Sequence, residues 1–193
     1  VLKNSLKKIY IKEYIEVIAL LKKLKFEKNG KFVSLCKDAF TTLKNGKKII
    51  FFGNGGSAAD AQHIAAELSG RFYKERKALF AEALHVNSSY VTAVANDYGF
   101  DNIYSRMIEA AGRKSDMLIA ISTSGNSKNV INALIKAKEV GMITVGLSGK
   151  KLSKMDSICD IMIKVPSDNT ARIQESHIMI GHIVCELIEQ HLF

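Results

Sequence analysis

The stretch KIIFFGNGGSAADAQHIAAE, from Lys48 to Glu67, constrains the fold of this chain more than any other. The apolar β-formers Ile49 to Phe52 have the pattern of a buried strand, and Gly53, Gly55 and Gly56 make the turn that follows it. Ser57 then opens a helix. Backbone N–H groups at the start of a helix, with no Cβ in front of them, sit at the positive end of the helix dipole and make a place for an anion. His63 and Glu67 are four residues apart, so they share one face of that helix about a turn below the anion site, where they can serve a metal or a proton transfer.

From Lys48 onwards the pattern alternates strand and helix. Apolar strand-like runs occur at Ile49 to Phe52, Ala81 to Val86, Met117 to Ile121, Ile143 to Leu147 and Ile158 to Val165, with helix-length segments between them. This rhythm predicts an α/β fold, a doubly wound parallel five-stranded sheet with helices on both faces. Before it, Leu6, Tyr10, Tyr14, Val17, Leu21 and Leu24 recur at spacings of three and four among lysines, the signature of an amphipathic helix. Asn29-Gly30 is expected to break that helix. A second one runs to about Leu43, with Phe32, Leu35, Cys36, Ala39, Phe40 and Leu43 on its inner side, and ends at Asn45-Gly46. The apolar stripe of the first helix is too long for one α/β layer to cover, so the N-terminal helices are expected to pack in an oligomer. Residues 1–46 read as a helical segment of the same domain as 47–193.

At 193 residues and 47% hydrophobic, the chain is long enough for one buried core. Its net charge of +9 resides wholly in residues 1–48, which carry thirteen lysines and four acidic residues; the remainder is neutral. Without clustered arginine or interleaved aromatics, this reads as a solvated helix face, and no nucleic-acid partner is expected. Cys36, Cys159 and Cys185 are scattered and odd in number, which points to a reducing compartment. The apolar run Ile15 to Leu21 is interrupted by Glu16 and followed by no small-residue cleavage site, and no run reaches membrane-span length. A soluble cytoplasmic protein is the expectation.

In doubly wound sheets ligands bind beyond the carboxyl ends of the strands. After the third run comes Ser122-Thr123-Ser124-Gly125-Asn126-Ser127, four hydroxyls in six residues, ahead of a helix that starts near Lys128. Such donors suit a phosphate monoester, whereas an ordinary N-cap needs only one or two of them. Neither this loop nor Gly53–Gly56 matches a nucleotide motif, so the phosphate is assigned to a small molecule. Ala95-Asn96-Asp97-Tyr98-Gly99-Phe100 follows the second strand and reads equally as a turn or a substrate contact. The last helix, from about Thr170, carries Arg172, Gln174, Glu175, His177, His182 and Glu186 among isoleucines; a lone histidine on such a face is more often a core residue than a ligand.

Taken together, the GNGGSAADAQHIAAEL run, ANDYGF, ISTSGNS and the ARIQESHIMIGH run resemble the sugar isomerase (SIS) superfamily and, within it, the phosphoheptose isomerases. The likeness runs from about Lys47 to Leu192. It implies a cytoplasmic homotetramer that isomerises sedoheptulose 7-phosphate to D-glycero-D-manno-heptose 7-phosphate, feeding heptose into lipopolysaccharide, capsule or related glycans. Carried over by motif, the implied substrate contacts are Asn54, Gly55, Gly56, Ser57, Glu67, Asn96, Asp97, Ser122, Thr123, Ser124, Ser127 and Gln174. The implied ligands of one zinc ion per subunit are His63, Glu67, Gln174 and His182. Ala171 stands where some members carry an acidic residue, so any contact made there is missing.

Ketose–aldose interconversion moves a proton between C1 and C2 through an enediolate, which needs a base, a proton shuttle and a group that steadies the oxyanion. Glu67 and His182 are the natural acid/base pair, and a zinc ion would act as Lewis acid. Gln174 and His182 lie about 12 Å apart along an ideal helix, so sharing one ion requires an irregular helix start or ligands from another subunit. The alternative function is a non-enzymatic SIS-fold tetramer that binds the replication initiator, or a sugar-phosphate sensor. His182 speaks against it, because the initiator-binding relative resembles this chain through Arg172–Glu175 yet lacks that later histidine.

Overall fold

The computed structural model describes residues 2–24, 27–28 and 30–193; Asn29, part of the expected helix break, lies outside them. Five strands, β1 (Ile49–Gly53), β2 (Ala81–Ala83), β3 (Met117–Ile121), β4 (Ile143–Ser148) and β5 (Ile161–Lys164), form one all-parallel sheet in the order β2-β1-β3-β4-β5. Seven α-helices accompany it among the described residues: α1 (Leu2–Leu21), α2 (Lys31–Lys44), α3 (Gly56–Ser69), α4 (Ser88–Tyr98), α5 (Ile103–Ala111), α6 (Lys128–Val140) and α7 (Thr170–Leu192).

Alternation along each strand feeds two cores. In β1, Ile49 and Phe51 join a layer with α2, α3 and α7, while Ile50 and Phe52 face a layer built from α4, α5 and α6. Every residue of β1 and β3 is buried, which is why both read as unbroken apolar runs and not as alternating ones. The expected doubly wound sheet is therefore the observed one.

Two strands are shorter than their apolar runs. β2 is an edge strand that stops at Ala83, after which Leu84 makes one more bond to the Phe51 carbonyl (3.1 Å) and the chain leaves the sheet. Ahead of β5, residues Lys154–Ser157 form a 3-10 helix, and Ile158 and Cys159 both bond back to the Met155 carbonyl, so they belong to that turn. Apolarity marked these residues as buried but did not distinguish strand from packed turn.

The first helix also differs from its pattern. α1 ends at Leu21 in a tightened turn, with Lys23 N–H on the Leu20 carbonyl (2.8 Å), so Leu24 falls outside it. Leu20 is its one buried residue among those described, and Leu2, Leu6, Ile9, Tyr10, Ile11, Tyr14 and Ile15 are all exposed. Arg172, at the start of α7, ties α1 down through Glu13 (2.5 Å) and Glu16 (3.7 Å). In contrast, α2 buries Leu35, Cys36, Ala39 and Leu43 in the same core as the sheet. No helix among the described residues is long and apolar enough to cross a membrane, and the three cysteines are free.

Candidate active site

The strand order reverses at the β1/β3 boundary, and the register there runs from Ile49 opposite Met117 to Gly53 opposite Ile121. Because the two strands end side by side, the loops after them emerge together, and the crevice between them is where such folds take ligands. A Cβ on Gly53 would lie 2.6 Å from the Ile121 carbonyl oxygen, so only glycine allows this approach. Gly55, the N-cap of α3, has φ +56° and ψ −124° with open space around it; the backbone conformation there, not crowding, demands glycine.

The cradle is stiffened by residues that the motifs did not single out. Asn54 and Asn129 exchange a reciprocal pair of amide hydrogen bonds, each 2.9 Å, and Asn129 is buried. Tyr104 donates its hydroxyl to the Gly53 carbonyl (2.5 Å), and burial pushes the phenol up to about 12, so it remains a donor. Both partners come from the helices flanking β3. The local sequence carries no signal for either, because the contacts span 51 and 75 residues.

In the second loop, Ser122 is buried and its Oγ accepts from the Gly125 N–H (3.2 Å), which leaves its own O–H to donate. Ser124 Oγ accepts from the Asn126 N–H (3.3 Å). Ser127 is the N-cap of α6 but makes no capping bond, so its hydroxyl is uncommitted at the positive end of that helix. A cavity of about 260 Å³ abuts this loop, lined by Thr123, Ser124 and Asn126 together with Lys150, Ser167, Asp168 and Thr170. A larger apolar groove of about 1050 Å³, lined by Phe32, Phe40, Ile180 and Leu187, contains none of the loop residues. Its floor is mainly apolar, and Lys23, Lys31, Lys37 and Lys164 also line it.

His63 and Glu67 meet on one face of α3, as their spacing predicts, with Nε2 3.1 Å from Oε1. α7 packs alongside α3, and Gly181 makes that possible: a Cβ there would sit 2.5 Å from Ile64. The close approach brings His182 Nε2 to 3.5 Å from His63 Nε2. One donor atom from each of His63, Glu67 and His182 then lies within 4.8 Å of the others. Tetrahedral coordination with bonds of ~2.0–2.1 Å sets donors about 3.3 Å apart. Two imidazole nitrogens and a carboxylate at 3.1 and 3.5 Å fit a borderline divalent cation in both spacing and chemistry. Phe72 stacks on the His182 ring at 5.5 Å, closing one side of the cluster. One turn before His63, Asp60 keeps an unpartnered buried oxygen, and burial raises its carboxyl against the opposing pull of His63.

Not every expected site residue joins this cluster. Gln174 rests on the start of α3, where a Cβ on Gly56 would meet its Nε2 at 2.5 Å, and α7 is regular from Thr170, so an irregular helix start does not bring Gln174 to His182. Asn96 and Asp97 lie in the exposed last turn of α4, not in a loop, and bond to each other (2.9 Å). Among the described residues neither bonds to the cradle. His177 is buried in α7, with neither ring nitrogen hydrogen-bonded, and takes no part in the cluster.

Comparison with known proteins places this geometry. Residues 13–149 match the SIS domain family. The phosphoheptose isomerase of Sulfurimonas denitrificans is 48% identical over 189 residues, 96% of this chain and 97% of that protein. Phosphoheptose isomerase 1 of Campylobacter jejuni is 57% identical over 148 residues, covering 77% and 80%. The solved structure of phosphoheptose isomerase GmhA from Neisseria gonorrhoeae superposes with a TM-score of 0.89 at 39% identity, over 96% of this chain and 99% of that one. The chain belongs to the phosphoheptose isomerase family of SIS-domain proteins.

Proposed function

We propose that this chain is an aldose–ketose isomerase acting on D-sedoheptulose 7-phosphate to give D-glycero-D-manno-heptose 7-phosphate, with Glu67 and His182 as its acid/base pair. The observation that carries this reading is the meeting of His182 with His63 and Glu67 across two helices, one of which starts at the Gly53–Gly56 turn. A sugar phosphate held by its phosphate at Ser122, Thr123, Ser124 and Ser127 extends its first carbons away from that loop. Asn54, Gly55, Gly56 and Ser57 supply further donors at the start of α3, and Gln174, Asn96 and Asp97 are assigned to the sugar hydroxyls.

In the ketose the C1–H bond breaks as a base takes the proton, the C1–C2 bond becomes double, and the C2 oxygen gains negative charge. Return of a proton to C2, with transfer of the C1 hydroxyl proton to the C2 oxygen, completes the aldose. Glu67 Oε1 is engaged by His63, and Oε2 has no hydrogen-bond partner among the described residues, so that oxygen is the one to move the carbon-bound proton. His182, held by Phe72 and facing His63, exchanges protons with the substrate oxygens. His63, Glu67 and His182 would hold a zinc ion, one per subunit, with Gln174 joining from a neighbouring subunit. When bound, zinc supplies Lewis-acid stabilisation of the oxyanion.

The working form is proposed to be a cytoplasmic homotetramer with its sites near subunit interfaces. The long exposed apolar side of α1 and the apolar groove between α2 and α7 support assembly. The test is direct: purified protein is given sedoheptulose 7-phosphate and the products are followed by NMR. Appearance of the heptose 7-phosphate supports the reading. A protein that binds the sugar phosphate and leaves it unchanged is a sensor or scaffold.

A further inference from the structure

The buried ion pair of Arg76 and Glu189 is not part of the proton chemistry, yet it touches every element that carries it. The two side chains are 1% and 2% exposed, with Nε and Oε1 2.9 Å apart. Glu189 also accepts from three successive backbone N–H groups, those of Phe72 (2.8 Å), Tyr73 (2.8 Å) and Lys74 (2.9 Å). Arg76 donates to the carbonyls of Glu67 (2.8 Å), Leu68 (2.9 Å) and Gly70 (2.9 Å), the last acceptors of α3 that lack an intrahelical partner.

The connections lead to the site from both sides. Arg76 grips the backbone of Glu67 itself, while Glu189 sits two helical turns beyond His182 on α7. The segment pinned between them contains Phe72, whose amide is held by Glu189 and whose ring stacks on His182 at 5.5 Å and 23°. A buried ion pair is seldom retained for stability, since apolar replacements are often neutral or stabilising; what a fully bonded one supplies is geometry. All of Glu189's bonds fix one helix relative to the end of another.

We infer that Arg76 and Glu189, acting through Phe72, are positioning residues that set α3 against α7 so that His182 meets Glu67 and His63. The inference rests on Glu67 and His182 being the acid/base pair, and its test separates the two. Three full-length variants are compared with the wild type: Phe72→Leu, which leaves the ion pair intact, Arg76→Lys, which keeps the charge but loses the fork, and His182→Asn. Ring resonances are read on protein carrying 13C-labelled histidine, with the His182 signal identified by its loss in His182→Asn. A ring stacked under Phe72 resonates upfield. In Phe72→Leu and Arg76→Lys this signal moves downfield, and kcat for sedoheptulose 7-phosphate falls about 10-fold or more at an unchanged KM, because a small misplacement of a reacting group is costly while binding is untouched. A melting temperature near that of the wild type accompanies both changes in Phe72→Leu. Because Phe72→Leu loses the ring current itself, Arg76→Lys is the deciding variant: the proposal is overturned if the His182 signal stays in place there, or if it moves and kcat stays within about twofold of wild type. If His182→Asn itself turns over normally, the acid/base reading fails, and the His182 signal still reports whether Phe72 and Arg76 place the ring. Should Arg76→Lys not fold, Glu189→Gln, which keeps the side chain's size and loses its charge, is read in its place by the same two criteria.

Discussion

His182 Nε2 and His63 Nε2 face each other at 3.5 Å across the contact between α7 and α3, although 119 residues separate them in the chain. With Glu67 Oε1 against the same His63 nitrogen, two imidazoles and a carboxylate converge, a donor set that suits a divalent cation. Removing one donor should therefore show in metal content before it shows in fold. Protein purified without chelator or histidine tag is expected to carry about one zinc per chain, and His63→Asn to lose most of it while melting near the wild-type temperature. Full metal content in His63→Asn by elemental analysis would take His63 out of the ligand set.

The anion loop makes a separate prediction. Ser124 and Ser127 have hydroxyls that the fold does not need: Ser127 makes no cap bond, and Ser124 only accepts one N–H within its own turn. Ser127→Ala should weaken the sugar phosphate by roughly 1.5–3 kcal/mol, the worth of a hydrogen bond to a charged group, with the fold intact. Ser122→Ala should cost stability as well, because its Oγ accepts from the Gly125 N–H inside the buried loop. Calorimetry on the two single variants distinguishes these outcomes, and equal affinity in Ser127→Ala removes that residue from the phosphate site.

A pH effect on stability follows from His177. Burial lowers its imidazole to about 4, and a Ser148 backbone group, short of hydrogen-bond geometry, opposes this only weakly. The unfolded chain takes up this proton near pH 6.5 and the folded chain not until about 4, so the unfolded state binds more protons throughout that window. Stability is unaffected above pH 6.5 and falls as pH drops through the window, by about 3 kcal/mol in total for this group. His177→Leu should flatten that part of the acid limb in urea unfolding measured at pH 7 and pH 4.5. An acid limb as steep as the wild type's would show that other groups set it.

Assembly is tested by truncation. The outward side of α1 exposes Leu6, Tyr10 and Tyr14, while the helix is held to its own subunit by buried Leu20 and by Arg172 with Glu13 and Glu16. Removing residues 1–26 should lower the oligomeric state, since contiguous exposed apolar surface of this extent marks a partner face. A truncated protein that remains tetrameric by light scattering would assign the tetramer to other surfaces.

The parallel sheet was legible because β1 and β3 are buried on both faces, which leaves an unmistakable apolar run between glycine- and serine-rich turns. His63 and Glu67 were legible as a pair because helical spacing alone brings them together. His182 was not linked to them by any local pattern; its partnership depends on α7 lying against α3 at Gly181, a tertiary fact. The same holds for Tyr104 and Asn129 under the cradle, and for Glu189 beneath Phe72. The ends of β2 and β5 were misjudged for a related reason. Apolar residues in a packed turn and in a strand are equally buried, and only hydrogen-bond partners tell them apart.

The central claim is that Glu67 carries a proton between the first two carbons of the sugar. Wild-type protein incubated with sedoheptulose 7-phosphate in deuterated water should place deuterium on C2 of the aldose, to an extent set by how fast the base equilibrates with solvent. Glu67→Gln keeps the size and hydrogen bonding of the side chain but cannot accept a proton, so turnover should fall on the order of 10²- to 10⁴-fold and deuterium incorporation with it. Metal content and sugar-phosphate binding are measured on the same samples, so that loss of an ion is not mistaken for loss of a base. Near-wild-type turnover and label in metal-matched Glu67→Gln would contradict the account, because the proton would then be travelling by a group other than Glu67.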